Sequence, residues 1–387
     1  MKRMGMEFVL NEQQEMVQSI AKEFAEKLLA KHAEQIEKNR AVPSDLYKTA
    51  GEMGLLGITF DEKYGGLGLD QKCWVVSQES LAKESPSFAT CVGAGAMFTE
   101  VVNMYGTEEQ KMKILPPCLA GDVIGSFAFT EPSTGSDPKQ LTTRYHKEGD
   151  FYVINGVKRF ITNSGYKGPI ALFANDSETG MTTAFVFDKF CEGYSLSSKW
   201  DTVSIRGSAV YDIFLDNVCV PKEAVLGGPE AIGTGFKILK GLVARSKISV
   251  TATAVGNMAK AYELAVRYAK EKMHRDKPIS KFPTIQTKIA QIAGKYYSCQ
   301  AYLYKMAEYA DFVPDISTLA GEAATMKAHV ADEGVDCCVL AMNILSAYGI
   351  CDEYGVERCV RDALMAPHVE GVGDMQRIIG GSNILFK

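Results

Sequence analysis

The stretch Thr130-Glu131-Pro132-Ser133-Thr134-Gly135-Ser136-Asp137 lies between two strand-like segments and combines turn-forming residues, hydroxyls and a carboxylate. Pro132 fixes its own φ angle, and Gly135 allows a ligand to approach the backbone closely. The hydroxyl side chains and free N–H groups can bind phosphate oxygens, so the stretch is typical of a backbone cradle for a phosphate-bearing cofactor. Taken alone, the same composition more often forms a polar cluster of β-turns.

Three further motifs occur at distances that fit the first one. They are Leu55-Leu56-Gly57-Ile58 followed by Glu62-Lys63-Tyr64-Gly65-Gly66-Leu67-Gly68, then Phe160-Ile161-Thr162-Asn163-Ser164-Gly165, and finally Arg361-Asp362-Ala363 with Glu370-Gly371 and Gln376-Arg377. In this order they resemble the N-terminal signature, the flavin-ring segment and the catalytic C-terminal segment of the acyl-CoA dehydrogenases. The resemblance spans nearly the whole chain, and four ordered motifs outweigh the β-turn interpretation of the first.

The resemblance implies an α+β, acyl-CoA dehydrogenase-like fold in three parts. These are an N-terminal helical domain at 1–124, a middle β domain built as a barrel or sandwich at 125–230, and a C-terminal four-helix bundle at 231–387. The composition agrees, because 387 residues of which 46% are hydrophobic can bury a large core divided into two or three domains.

The spacing of apolar residues predicts helices in the first and last parts. Asn11 is a candidate N-cap with Gln14 at the reciprocal capping position. Helices are expected at 46–53, 73–83, 97–105, 108–115, 236–272, 284–312 and 317–346.

Runs of β-branched and aromatic residues predict strands in the middle part. Two of these runs flank Asn155-Gly156, a dipeptide that predicts a tight hairpin turn. Strands are expected at 151–154, 158–162, 170–174, 182–187, 210–215 and 218–221, followed by a linker at Gly227-Gly228.

Charge and composition exclude several classes of function. A net charge of −5 gives no basic surface for nucleic acid or anionic lipid. There is no glycine fingerprint for a nicotinamide cofactor and no Walker loop for a nucleoside triphosphate. The ten cysteines and five histidines show no metal-ligand spacing, which predicts no metal site and free thiols in a reducing compartment. No signal peptide and no apolar run of 18 residues are visible, so we expect a cytoplasmic protein without a membrane segment.

The implied reaction requires a base, because a proton must leave the carbon α to a thioester while a hydride leaves the β-carbon. By resemblance Glu370 is the catalytic base, and its backbone N–H, with a ribityl hydroxyl of the flavin, holds the thioester oxygen. Its neighbours in sequence carry few charges, so substrate binding is expected to raise its pKa. Without the resemblance, Glu370 would more often be a surface residue near a helix end. Some relatives carry the base in the segment Ala244-Arg245-Ser246-Lys247, which here has no carboxylate.

No side chain accepts a hydride, so the resemblance implies that FAD does so at its N5 atom. It places Phe129 and Thr130 near the polar edge of the flavin ring and Ser136 at the phosphate end. The resemblance also places Phe160 and Thr162 beside the reactive ring, with Phe160 in place of a frequent tryptophan. The resemblance assigns substrate contacts to Ser136, Lys247, Glu370 and Gly371.

Several positions depart from the family pattern. Lys272 and Arg275 occupy positions where relatives present an arginine and a phenylalanine to the FAD of a neighbouring subunit. The dinucleotide-binding Gln-x-x-Gly-Gly pattern reads Asn343 to Ala347 here, and Val372 replaces a threonine. Lys247 stands where many relatives have an arginine near the substrate. The alternative for Lys247, Lys272 and Arg275 is a solvated charge on a helix face.

The resemblance implies FAD-dependent α,β-dehydrogenation of an acyl-CoA by a homotetramer that passes electrons to an electron-transfer flavoprotein. By resemblance, relatives that act on dicarboxylic acyl groups use a buried arginine near the segment 87–91. No arginine lies there in this chain, which favours an uncharged acyl group. The small residues of 93–96 can widen the acyl pocket, or simply allow close helix packing. Three alternatives stay open: an enoyl-CoA reductase working in the reverse direction, an acyl-CoA oxidase, and a non-catalytic acyl-CoA-binding or scaffold protein.

Overall fold

The computed structural model of the chain describes residues 8–135 and 140–386. Its first part is helical, and Asn11 forms the predicted capping box with Gln14 at the start of the first helix. The helices are α1 (Glu12–Phe24), which continues through a π-helical turn (Ala25–Leu29) into α2 (Ala30–Asn39), then α3 (Ser44–Glu52), α4 (Gln71–Glu84), α5 (Pro86–Tyr105) and α6 (Glu108–Leu119).

Helix α5 begins at Pro86 and not at residue 97, where the sequence pattern predicted its start. The side chain of Ser85 accepts from the N–H of Phe88, and Pro86 occupies the first turn, where its missing N–H costs nothing. The glycines at 93 and 95 lower the helix propensity of this stretch and hid its first half from the sequence pattern. Packing of α5 against α7 stabilises the helix despite its low helix propensity.

The middle part is one curled sheet of seven strands. The neighbour order is β1-β4-β2-β3-β7-β6, and β5 pairs antiparallel with β4. The strands are β1 (Ser126–Ala128), β2 (Arg144–Glu148), β3 (Phe151–Ile161), β4 (Pro169–Asp176), β5 (Thr182–Asp188), β6 (Tyr194–Leu196) and β7 (Tyr211–Pro221). The sequence pattern did not predict β1, β2 or β6, which are short or mostly exposed.

The hairpin predicted at Asn155-Gly156 is wrong, because β3 runs straight through this dipeptide. The register against β7 shifts between Ile154 and Gly156, as at a β-bulge. Asn155 exchanges hydrogen bonds with Asn217 of β7 at 2.8 and 3.1 Å. A Cβ at Gly156 would lie 2.5 Å from the hydroxyl of Thr143, so glycine is needed here for close packing and not for a turn.

The last part is a helical bundle whose three long helices lie close to the predicted bounds. Its elements are α7 (Gly235–Glu271), the hairpin strands β8 (Met273–His274) and β9 (Lys277–Pro278), α8 (Pro283–Phe312), α9 (Ala320–Leu345), α10 (Val356–Ala363), α11 (Met365–His368) and α12 (Gly373–Phe386). Helix α7 packs against α8 and α9 and also against α4 and α5, while α12 packs on α9.

One stretch in the described part of the chain, Ile316–Ile350, is long and apolar enough by length and composition to cross a membrane. It contains α9, which packs against α7, α8, α10, α11 and α12 of the bundle. Core helices of water-soluble bundles meet the same criteria, so the stretch is weak evidence for a span.

Asp362 on α10 joins the bundle to the sheet. Its Oδ1 accepts from the N–H of Ile205 at 2.6 Å, and Ile205 is a β-branched residue held at φ 43°. The Oδ2 atom is buried without a hydrogen-bonding partner among the described residues. Burial, with a smaller contribution from Glu37, raises the pKa of the Asp362 carboxyl to about 7.

This raised pKa predicts how stability depends on pH. Between about pH 4, where an unfolded aspartate titrates, and about pH 7, the folded protein holds a proton at Asp362 that the unfolded chain has lost. The free energy of unfolding should therefore fall as pH rises through this window. Asp362→Asn keeps the acceptor for Ile205 and removes the titration. Urea unfolding from pH 4 to pH 7 should give a flatter profile for this variant, and an unchanged slope would contradict the assignment.

Candidate active site

Glu370 lies in the short loop between α11 and α12, and the structure fixes this loop by its backbone. Glu370 and Gly371 both have positive φ angles, of 54° and 90°. A positive φ angle is energetically unfavourable for a glutamate, so the surrounding structure must hold Glu370 in this conformation. The carbonyl of Glu370 accepts from Nε2 of the buried Gln376 at 3.2 Å, and the carbonyl of Gly371 accepts from Nζ of Lys327 at 2.6 Å. Two buried side chains therefore set the position of the loop.

Two lysines approach Glu370 from different helices. Lys327 of α9 and Lys247 of α7 are both almost fully buried. Burial lowers the pKa of each ammonium group to about 8, and the carboxylate of Glu370 is the largest charge that opposes this shift in both cases. Few charges were expected around Glu370 because its neighbours in the chain carry few. That expectation is wrong, since α7 and α9 bring two cations to the loop.

The stretch that begins at Thr130 is held by an ion pair inside the sheet. Nζ of Lys158 donates to Oε1 of Glu131 at 2.7 Å, and neither side chain is exposed to solvent. Glu131 also accepts from the N–H groups of Thr142 and Thr143, which ties it to the residues that precede β2. Lys158 donates in addition to the carbonyl of Phe129 at 3.2 Å. Burial alone would raise the pKa of Glu131, but Lys158 and the hydrogen bonds bring it well below its usual value.

Phe160 presents its ring to solvent at the end of β3. Its φ is 58° and 54% of its surface is exposed. The ring lies 5.1 Å from that of Trp200, which is also partly exposed. Asp212 organises the pair, because it accepts from the indole Nε1 of Trp200 and from the guanidinium of Arg159. Trp200 was not predicted as a site residue, because its distance from Phe160 in the chain gives no sign of this contact.

The turn after Phe160 is fixed to the helices and to β1. Nδ2 of Asn163 donates to the carbonyl of Cys91 at 2.9 Å, and Tyr47 donates to its Oδ1. The buried ammonium of Lys189 donates to three oxygens, the carbonyl of Asn163, the carbonyl of Ile124 and the hydroxyl of Ser126, at 2.8–2.9 Å. Burial lowers the pKa of Lys189 to about 7. Three parts of the chain thus meet at one buried cation.

Family models match the chain in three consecutive parts. The acyl-CoA dehydrogenase N-terminal domain matches residues 11–122, the middle domain residues 126–218 and the C-terminal domain residues 233–385. The chain belongs to the acyl-CoA dehydrogenase family. This confirms the predicted fold class and identifies the chain as an oxidoreductase.

Curated relatives agree with the acyl-CoA dehydrogenase assignment. A protein named "Probable acyl-CoA dehydrogenase" from Bacillus subtilis is 34% identical, over 98% of this chain and 100% of the relative. The short-chain specific acyl-CoA dehydrogenase of Clostridium acetobutylicum is 31% identical, over 97% and 98%. The acryloyl-CoA reductase (NADH) of Anaerotignum propionicum is 30% identical, over 98% and 95%.

Solved structures of similar chains extend the comparison. Butyryl-CoA dehydrogenase from Megasphaera elsdenii superimposes with a TM-score of 0.92 at 30% identity, covering 98% of this chain and 100% of that one. A chain from work on the electron transferring flavoprotein of Acidaminococcus fermentans gives 0.93 at 32%, covering 99% and 100%. An acyl-CoA dehydrogenase complexed with FAD from Bacillus anthracis gives 0.90 at 27%, covering 97% and 67%. FAD is the cofactor of this acyl-CoA dehydrogenase.

The residues around Phe160 fit the ring of FAD. Thr130 and Thr162 are half-buried, and neither hydroxyl is hydrogen-bonded within the part of the chain that the structure describes. The N–H of Arg159 donates to the carbonyl of Thr130 at 2.8 Å, which brings the first motif beside β3. An exposed aromatic ring next to hydroxyls without protein partners suits a flat, polar-edged ring. Ser136 lies outside the described residues.

The other predicted FAD contacts of this acyl-CoA dehydrogenase lie at the far end of the bundle. Lys272 caps α7, roughly 37 Å beyond Lys247 at about 1.5 Å per residue. Its Nζ lies 4.7 Å from the centre of the Tyr348 ring, next to the exposed Ala347. Arg275 is exposed in the β8–β9 hairpin, and Asn343 is exposed on α9. These residues do not share a site with Glu370 in one chain, and Val372 alone of the departures lies in the Glu370 loop.

Proposed function

We propose that the chain removes a proton and a hydride from an uncharged acyl-CoA thioester and forms the enoyl-CoA, with Glu370 as the α-proton base. The observation that carries this proposal is the Glu370 loop, in which Glu370 itself has a strained positive φ angle and the backbone is held by Lys327 and Gln376. Strain of this kind persists only where the structure enforces it, and it concentrates at functional sites. FAD, when bound, supplies the hydride acceptor that no side chain provides.

The backbone of the same loop can polarise the substrate. Within the described residues the N–H of Glu370 donates to no protein acceptor. A donor left open beside the base can bind the thioester oxygen, where negative charge develops as the α-proton leaves. The carboxylate and the N–H of one residue then act on neighbouring atoms of the substrate.

The two buried ammonium groups have separate roles in this proposal. Lys327 positions the base, because it binds the carbonyl that follows Glu370. Lys247 lies on the α7 side of Glu370, where we propose that it contacts the substrate as the arginine of relatives is expected to do. A lysine provides a compact charge without the planar fork of arginine, so this contact would be less directional.

The positioning role of Lys327 predicts a graded loss of rate. Lys327→Met removes both the charge and the donor to Gly371, and it should slow substrate-dependent bleaching of the flavin by about tenfold with acyl-CoA affinity nearly unchanged. Lys327→Gln keeps a donor and should recover part of the loss. Rapid-mixing spectroscopy of both variants measures this, with Lys305→Met on the surface of α8 as control. Equal rates for the Met and Gln variants would rule out the positioning role.

The direction of the reaction, the redox partner, the oligomeric state and the cellular location are further proposals. The acryloyl-CoA reductase among the relatives favours reduction of an enoyl-CoA as a second function, because one base and one cofactor serve both directions. We also propose an electron-transfer flavoprotein as redox partner, a homotetramer in which Lys272, Arg275, Asn343 and Ala347 face the FAD of a neighbouring subunit, and a cytoplasmic location. The domain bounds 1–124, 125–230 and 231–387 remain predictions.

An anaerobic visible spectrum tests the main proposal. The purified protein reconstituted with FAD is mixed with straight, branched and cyclic acyl-CoAs, and at least one should bleach the flavin band. Chemically reduced protein is then mixed with enoyl-CoAs to test the reverse direction. A bound flavin that responds in neither direction would overturn the proposal.

A further inference from the structure

A small cavity lies between α5 and α7, on the side of α7 next to Lys247. Its volume is about 20 Å³, which is room for one small group such as a water molecule, a methyl or a hydroxyl. Gly93, Ala96 and Glu100 of α5 line it, together with four residues of α7.

The α7 residues of the cavity connect it to the proposed reaction centre. Leu242, Arg245, Ser246 and Ser249 recur at the spacing of one helix face. Lys247, which interacts with Glu370, directly follows Ser246. An acyl chain whose thioester lies at Glu370 can therefore extend along α7 with its far end in this cavity.

Small residues of α5 make the space. A Cβ at Gly93 would lie 2.7 Å from the hydroxyl of Ser249, so any larger residue would fill the cavity from the α5 side. Ala96 also lines it. Of the two interpretations of the small residues at 93–96, a widened pocket thus has direct support at these two positions.

Part of the cavity wall is polar, although most of its surface is apolar. Nη1 of Arg245 donates to Oε1 of Glu100 at 2.8 Å, and the Glu100 side chain is only 12% exposed. The Nε–H of Arg245 is buried and has no hydrogen-bonding partner among the described residues. An unpaired buried donor is costly, so a ligand oxygen that accepts from it is favoured over a methyl group. The charge of Glu100 balances that of Arg245, which leaves no net charge to attract a carboxylate.

We propose that the Glu100–Arg245 pair selects acyl groups that end in a neutral oxygen, such as a hydroxyl, ketone or carboxamide, over plain alkyl groups and over dicarboxylic acyl groups. The proposal rests on the proposed function, since it assigns the far end of the same substrate. An acyl-CoA whose terminal group accepts a hydrogen bond from the Nε–H of Arg245 should bind at least about tenfold more tightly than an acyl-CoA of equal length with an alkyl end.

The test separates binding from turnover. Glu370→Gln protein loaded with FAD is titrated with butyryl- to hexanoyl-CoA and with their terminal hydroxy and carboxy analogues, and binding is followed by the perturbation of the flavin spectrum. The hydroxy compound of the fitting length should bind about tenfold more tightly than its alkyl and carboxy counterparts. Wild-type kcat/KM for bleaching should show the same order.

Two double variants complete the test. Glu100→Gln with Arg245→Met removes the pair without leaving a lone buried charge, and the preference for the hydroxy compound should disappear. Lys83→Met with Glu263→Gln removes another ion pair, between α4 and α7, and should leave the preference intact. If every hydroxy compound binds as weakly as its alkyl counterpart or more weakly, the proposed selectivity is wrong. Bleaching of the flavin by alkyl-CoAs would in that case still support the dehydrogenase proposal. Absence of bleaching by all compounds would overturn the dehydrogenase proposal, and the binding series would still decide the selectivity.

Discussion

Glu370→Gln is expected to bind acyl-CoA and to bleach its flavin about 10²- to 10⁴-fold more slowly than the wild type. The amide has the shape of the carboxylate but cannot accept the α-proton. It keeps the backbone N–H that we propose binds the thioester oxygen, and it keeps the carbonyl that accepts from Gln376. Affinity should therefore change little while the chemical step fails. Anaerobic rapid mixing of the FAD-loaded variant with the best substrate of the panel measures both quantities.

A surface substitution serves as the control for Glu370→Gln. Glu353→Gln changes an exposed carboxyl in the same part of the chain and should react at the wild-type rate. If Glu370→Gln reacts at a near-native rate, Glu370 is not the base. The closest lysines cannot replace it as bases below about pH 8, because they are then protonated.

Lys158→Met should destabilise the sheet by about 3–5 kcal/mol, because it leaves the Glu131 carboxylate buried without its cation. Phe129 and Glu131 lose their shared contact with Lys158 in the same step, so FAD should be retained poorly. Chemical unfolding of the FAD-free protein measures the first effect. The flavin content after gel filtration measures the second.

A second substitution distinguishes the ion pair from simple packing. Glu131→Gln added to Lys158→Met removes the stranded charge and keeps an acceptor for Thr142 and Thr143, so it should recover most of the lost stability. Lys147→Met on the exposed side of β2 should change the free energy of unfolding by less than about 0.5 kcal/mol. No recovery in the double variant would mean that Lys158 acts through packing.

The long helices were predictable because each carries its own pattern. In α7, α8 and α9 the apolar residues recur over many turns, and few glycines or prolines interrupt them. The strands were harder, since β2 is mostly exposed and β1 and β6 have three residues each. The predicted turn at Asn155-Gly156 failed because a glycine required by a neighbouring backbone looks the same in sequence as a glycine required by a turn.

The candidate site was predictable only where motifs carry it. Glu370 and Phe160 were found by resemblance to family segments, and their roles remain predictions. Lys327, Gln376, Trp200 and Lys158 were not found, although each holds part of the site. They contact their partners across the fold, and a buried lysine cannot be distinguished from a surface lysine by local sequence. Gln376 belongs to one of the family motifs, but its hydrogen bond to the Glu370 carbonyl is visible only in the folded structure.

The three acceptors of Lys189 limit how the molecule can move. They belong to the end of the helical part, to the first strand and to the turn after Phe160. A hinge motion between the helices and the sheet would strip a buried ammonium of its partners, at a high energetic cost. We therefore expect the helices and the sheet to move together as one rigid body. Entry of a bulky thioester would then depend on small loop displacements and not on the opening of a cleft between domains.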